Sequence, residues 1–191
     1  TPRLFSYIFA NIRAINCTKP AAHCLAFFLQ VWYNFNMALV NEIIFLLASL
    51  CAVTVVLTLH EFSHAFVAYK CGDPTPKFAG RLTLNPLRHF DLLGLALFAF
   101  AGFGWAKPVP INPNNFNHYR RGLTLTAIAG VVVNYLSVFL FYPLAMLAMR
   151  YVSTPFFLLD RLLQTFTLLL CSYSLAFCVF NLIPLPPLDG S

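Results

Sequence analysis

Charged side chains are scarce in this 191-residue chain, where they make up 9% of the residues, against roughly a quarter of an ordinary soluble domain. Among the charged residues the acidic ones are fewer, with 6 Asp and Glu against 12 Lys and Arg. So few charged residues cannot cover the surface of a soluble globular protein. The 60% hydrophobic content and the mean hydropathy of +0.75 are those of a membrane protein.

Runs of basic residues and paired cysteines are also missing. The net charge of +6 comes from Lys and Arg scattered between apolar segments, so we expect it to orient loops at a membrane and not to bind nucleic acid. The 6 cysteines include no C-x-x-C pair, which argues against a zinc cage and against a disulfide framework. We interpret them as free thiols.

Long charge-free windows are what the sequence does contain, and they predict three membrane spans. Residues 43–59, 122–149 and 162–188 carry no charged side chain, and each window is long enough to cross a bilayer as part of a helix. Residues 92–106 are also uncharged but number only 15, which is roughly 22 Å of helix against about 30 Å of hydrocarbon. We expect this segment to be re-entrant.

Two further regions are predicted less directly from their composition. Residues 1–36 are apolar in short, interrupted pieces, which favours a helix at the membrane interface over an extra span; residues 37–191 would form the core. The alternating pattern of residues 78–84 lies between turn formers and indicates a small β-hairpin-like loop. We also expect the complete protein to continue beyond Ser191.

The pattern H-E-x-x-H, formed by His60, Glu61 and His64, ends the first apolar run. Histidines four residues apart lie on one helix face, where both rings can reach one zinc ion, and Glu61 is placed to handle a proton of the attacking water. Ionisable groups at the end of a membrane span are costly unless they serve a site. The alternative is a pair of histidines that only packs, so a third ligand is needed.

A candidate third ligand, Asp189, follows the last apolar window. It belongs to the stretch that begins at Asn181 and contains Pro184, Pro186 and Pro187 before Asp189. The prolines prevent a helix from continuing, which turns the carboxylate away from the lipid-facing register. Asp189 as a simple loop cap, and Asn181 as an ordinary hydrogen-bonding residue between spans, remain alternatives.

The two motifs, in this order and each at the end of a span, resemble those of the site-2 proteases, which are intramembrane zinc metalloproteases. The resemblance covers about residues 38–191 and is strongest to the compact bacterial and archaeal branch. It is supported by residues 85–91 and 104–110, and by Gly130 with Asn134. This middle motif departs from the family pattern, which usually has proline where the chain has Val131, so we assign Asn134 no catalytic role and expect polar packing there.

The resemblance implies a three-span catalytic core, so that we expect an all-α polytopic membrane protein to which the sequence adds the short re-entrant segment and the hairpin-like loop. It also implies one zinc ion held by His60, His64 and Asp189, with Glu61 as general base and acid and Asn181 beside the site. The implied activity is hydrolysis of a peptide bond in or near a transmembrane helix of a substrate protein. A catalytically inactive relative and a zinc transport protein are the alternatives.

Topology and loop composition add two further expectations. His60 and Asp189 can reach one ion only if two full spans separate them, which puts most loop Lys and Arg on the side of the site; by the positive-inside rule that side is the cytoplasmic face of the cell membrane. The predicted strand would bind unwound substrate by strand addition, through Gly80, Arg81, Leu82, Thr83 and Leu84. His89 and Asp91 are expected to anchor loop hydrogen bonds.

Overall fold

Three long helices dominate the computed structural model, which describes residues 20–102, 104, 106–151 and 156–182, with side chains from residue 26 on. The helices are α1 (Pro20–Lys70), α2 (Thr75–Phe78), α3 (Leu92–Ala101), α4 (Tyr119–Tyr151) and α5 (Phe157–Asn181), with 3-10 turns at Pro86–Arg88 and Pro113–Asn115. Asp189 lies outside the described residues.

The prediction of a helical, polytopic membrane protein is confirmed. Among the described residues, three helices are long and apolar enough to cross a membrane: Ala26–Lys70, Tyr119–Tyr151 and Phe157–Asn181. Helix α3 has only 10 residues, as expected for a segment that does not cross. Helix α1 continues through position 36 without a break, and whether residues 20–36 lie at the interface stays a prediction.

The predicted strand at residues 78–84 is wrong. Phe78 ends the short helix α2, which has Pro76 in its first turn, and Gly80 then adopts the left-handed conformation with φ of 68°. The Arg81 side chain turns inward, where its guanidinium donates to the backbone carbonyls of Arg88 and Lys107. Helix-starting proline, left-handed glycine and an inward arginine together prevent extended pairing.

One isolated antiparallel bridge, between Phe90 and Ala106, is the only β pairing in the part of the chain that the structure describes. It brings the two ends of the α3 segment together. His89 and Asp91 anchor this loop as expected: His89 Nε2 donates to the Thr83 carbonyl at 2.8 Å, and Asp91 caps α3 by accepting from two backbone N–H groups.

The three long helices pack side by side with mixed orientation. Helix α4 is antiparallel to α1, since His60 contacts Asn134 while His64 contacts Thr126. Helix α5 runs parallel to α1, because its early residues lie beside Asn41 and its later ones beside the shared core. Small residues let the helices approach closely, among them Ala48 and Ala52 on α1, both with 0% exposure. The shared core contains Ala52, Val56, Phe141 and Leu170. Most other large apolar side chains face outward, where lipid would cover them.

A buried carboxylate fixes the end of α1 against the start of α4. Asp73 has 0% exposure and accepts hydrogen bonds from Thr75 N and Oγ1 at 3.0 and 2.5 Å, from Asn112 N at 2.8 Å and from Asn115 Nδ2 at 2.9 Å. Burial acts to raise the pKa of Asp73, but the four hydrogen bonds outweigh it and lower the pKa below 3.8. Asp73 therefore fixes the end of α1 relative to the loop before α4, and so the position of one helix along the other.

At the opposite end of the bundle, a hydrogen bond between two side chains fixes α5 against α1. Arg161 Nη2 donates to Asn41 Oδ1 at 2.8 Å. Glu61 is 20 residues after Asn41, and Asn181 is 20 residues after Arg161. Because both helices rise about 1.5 Å per residue in the same direction, Asn181 is brought to the level of Glu61.

We expect Asp73→Asn to lower the stability of the folded protein by roughly 1–3 kcal/mol at pH 7, because donors that face the carboxylate would lose an acceptor. The folded-state pKa lies below the unfolded one, so the stabilisation is present above the unfolded pKa and is lost as pH falls through the folded value. Thermal unfolding in detergent should show a constant gap from wild type between about pH 7 and 5 that narrows below about pH 4. Glu42→Gln, at an exposed position on α1, is the control; a gap that widens in acid would contradict the assignment.

Candidate metal centre

His60 and His64 lie one turn apart on the same face of α1, in its last quarter, with exposures of only 4% and 6%. Their Nε2 atoms are 3.1 Å apart, and the ring planes are inclined by 79°. The structure therefore brings together the two imidazoles, as the spacing of four residues in the sequence predicts. The Nε2 atom of each ring points toward the other ring.

Gly130 on α4 forms the opposite wall of this histidine pair. A Cβ atom at position 130 would lie 2.5 Å from His64 Nε2 and 2.7 Å from His60 Nδ1, distances that a real side chain does not tolerate. Any larger residue would displace the rings. Here the absence of a side chain lets α4 approach α1 at the level of the histidines.

Two groups on α4 hold the outer nitrogens of the rings. His64 Nδ1 is 2.7 Å from the carbonyl oxygen of Thr126, and because a carbonyl can only accept, Nδ1 carries the proton and Nε2 the lone pair. His60 Nδ1 is 3.0 Å from the side-chain amide nitrogen of Asn134, a residue with 0% exposure. Both rings are thus fixed in position by the neighbouring helix.

This geometry fits a zinc ion bound between the two Nε2 atoms. Zinc–nitrogen bonds of about 2.0–2.1 Å in a tetrahedral site put two ligand nitrogens about 3.3 Å apart, close to the observed 3.1 Å. Within the described ranges no cluster of three His, Cys, Asp or Glu side chains could hold a metal. The predicted third ligand, Asp189, lies outside those ranges.

Glu61 and Asn181 lie at the same level of the bundle, on α1 and α5. Glu61 is half-buried on α1 beside the histidines. Asn181 ends α5, is also half-buried, and donates one amide hydrogen to the carbonyl of Phe177 at 3.0 Å; an amide nitrogen has a second hydrogen to donate. Asn181 also lines an apolar cavity of about 550 Å³ between α1, α3 and α5.

Residues 80–84 lie in the loop between α2 and α3. Gly80 and Leu84 are exposed, Leu82 and Thr83 are half-buried, and the Arg81 side chain is occupied by backbone carbonyls. Substrate contact by Gly80, Arg81, Leu82, Thr83 and Leu84 stays a prediction. Such contact would not be strand addition, because residues 80–84 form turns and bends and not a strand.

The sequence analysis did not predict that Asn134 and Thr126 contact the histidines. The sequence contained part of the signal, because Gly130 and Asn134 are four residues apart and so share one face of α4. It did not contain the antiparallel register that puts this face against His60 and His64. The Thr126 contribution comes from its backbone, which no residue pattern reveals.

Fold and site together define a polytopic membrane protein with a buried histidine pair, and comparison with known proteins agrees. The chain is 44% identical over 133 residues to the "Putative zinc metalloprotease YwhC" of Bacillus subtilis, an alignment that spans 70% of this chain and 61% of the relative. It is 34% identical over 140 residues to the "Putative zinc metalloprotease Rip2" of Mycobacterium tuberculosis, across 70% of this chain and 51% of that relative. Both relatives are members of the site-2 protease family.

The resemblance to the site-2 protease family is therefore confirmed over the part of the chain that aligns. The chain spans little more than half the length of these relatives. No protein-family model matches the chain, and no solved structure matches it.

We expect Gly130→Ala to weaken zinc binding by about tenfold or more, because the added methyl group would push the imidazoles out of position. The measurement is the zinc affinity of the purified protein by competition with a chelator. Gly122→Ala is a matched control on the same helix, where the new Cβ would meet Phe116 at 2.5 Å, so it should lower the melting temperature and leave zinc binding unchanged. Equal zinc affinities of the two variants would contradict this account.

Proposed function

We propose that the chain is a zinc-dependent intramembrane protease, which hydrolyses a peptide bond in or near a transmembrane helix of a substrate protein. The observation that carries this proposal is the buried pair His60 and His64, with Nε2 atoms 3.1 Å apart, on a helix long and apolar enough to cross a membrane. The names of the relatives support zinc and protease chemistry.

His60, His64 and Asp189 would hold the zinc ion, which, when bound, polarises the scissile carbonyl and acidifies water. Three protein ligands are the number that leaves one position for reaction chemistry. Thr126 and Asn134 hold the outer ring nitrogens, so that the two Nε2 atoms face each other. We expect Asp189 to complete the set because the carboxylate follows the span whose end lies level with Glu61.

Glu61 would move the protons of the reaction. Its carboxylate takes a proton from the water that attacks the scissile carbonyl and delivers it to the amine that leaves, so one side chain acts first as base and then as acid. Two features of Glu61 support this role. The residue is adjacent to His60 in the sequence, and its carboxylate is only half-buried, so that water can reach it.

Asn181 would stabilise the negative charge that develops on the carbonyl oxygen. One amide hydrogen is bonded to the Phe177 carbonyl at 3.0 Å, which orients the group, and the second could be donated to the substrate. A donor of this kind in a dry site contributes about 3 kcal/mol to transition-state stability. A substrate helix would have to unwind locally, because its own hydrogen bonds otherwise cover the amide.

The site would face the cytoplasm in the cell membrane. Lys70 at the end of α1 and Arg120 and Arg121 at the start of α4 lie at the same end of the bundle, while Arg161 lies at the other end beside Asn41. The excess of basic residues at the end that carries the histidines supports this orientation by the positive-inside rule.

Glu61→Gln should lower the cleavage rate of a single-span substrate by roughly 10²- to 10⁴-fold, because the amide cannot accept the proton of water, while zinc stays bound. The assay uses purified protein in detergent, with zinc per chain measured on the same sample. Glu42→Gln makes the same chemical change at an exposed position of the same helix and should cleave like wild type.

The other outcomes separate the alternatives. Cleavage that survives Glu61→Gln would rule out the general-base role, and a folded protein without zinc would rule out the proposed function. Bound zinc with no cleavage of any substrate would indicate a catalytically inactive relative. Zinc flux into liposomes that contain the protein would indicate transport.

A further inference from the structure

The amide of Asn134, which lies beside His60, is paired at only one of its two ends. Its nitrogen lies 3.0 Å from His60 Nδ1, whereas its oxygen, which is buried, has no hydrogen-bond partner among the described residues. A buried polar atom without a partner costs about 1–3 kcal/mol, so a residue used only to hold two spans together would be expected to satisfy both ends of its amide.

The observed contacts form one directed chain of hydrogen bonds. Asn134 Nδ2 donates to His60 Nδ1, so the proton of a neutral His60 sits on Nε2 and points at His64 Nε2, 3.1 Å away. His64 Nδ1 in turn donates to the Thr126 carbonyl. In this arrangement a proton occupies the space between the two Nε2 atoms, and His60 cannot bind a metal through Nε2.

Metal binding through both Nε2 atoms requires the other tautomer of His60, with its proton on Nδ1. A half-turn of the Asn134 amide exchanges its nitrogen and oxygen, and the oxygen can then accept from His60 Nδ1–H. The proton moves from one ring nitrogen to the other, so the charge of the site does not change. After the half-turn the oxygen is paired with His60 and the amide nitrogen takes the position where the oxygen had no partner, so one end of the amide is paired in either arrangement.

We propose that Asn134 is a positioning residue for the metal, whose amide turns over to accept from His60 Nδ1–H and so directs the Nε2 lone pair of His60 at the ion. This inference rests on the proposed function, because it assumes that zinc binds between His60 and His64. Thr126, a fixed acceptor, serves His64 in the same way without turning.

The decisive comparison is between Asn134→Leu, which keeps the volume but has no polar atom, and Asn134→Asp, whose carboxylate can accept but not donate. We expect zinc to bind about 10- to 100-fold more weakly to the leucine variant and within about threefold of wild type to the aspartate variant. Affinities are measured by competition with a chelator. Ser137→Ala, at a buried position on the same helix, should bind zinc like wild type.

Melting temperatures of the zinc-free proteins separate positioning from packing. A packing role predicts that Asn134→Leu changes only the melting temperature and leaves zinc affinity unchanged, which would overturn the inference. Aspartate binding as weakly as leucine would overturn it too, since Asn134 would then act as a donor. If the leucine variant does not fold, Asn134→Ala takes its place in the same comparison. Wild-type protein that binds no zinc would instead refute the proposed function.

Discussion

The close approach of α1 and α4 at Gly130 is the constraint on which the site depends. A buried imidazole must have its ring nitrogens satisfied, and α1 cannot satisfy the outer nitrogens of two histidines on its own surface. Helix α4 supplies the acceptor of Thr126 and the amide of Asn134 only because no side chain at position 130 separates the two helices. The orientation of both rings therefore follows from one packing contact between spans.

Polar contacts outside the apolar packing keep that approach in register. Within lipid the hydrophobic effect does not choose one sliding position of two apolar helices over another. The buried carboxylate of Asp73 ties the end of α1 to the loop before α4, and the bond between Arg161 and Asn41 fixes α5 at the other end. These few directional bonds set the positions of His60, Gly130 and Asn181 along the bundle axis.

Sequence reasoning succeeded where the signal was local or compositional. The three spans follow from charge-free windows, and the pairing of His60 with His64 follows from a spacing of four residues on a helix. It failed at residues 78–84, where alternation of apolar residues predicted a strand. There Gly80 with positive φ and the inward turn of Arg81 override the pattern. The Arg81 side chain is held by the carbonyl groups of Arg88 and Lys107, and the second of these is 26 residues away in the sequence.

By itself, the sequence determined the membrane class of the protein, the three charge-free windows that form long apolar helices and the helix face that carries the two histidines, because each of these depends on composition or on spacing along one stretch of chain. Only the tertiary structure decided the antiparallel register of α4, and with it the contacts of Thr126 and Asn134 to the imidazoles. Register arises from bonds between residues that are distant in sequence. The hydrogen-bond partner of the outer nitrogen of each histidine is therefore set by the tertiary structure.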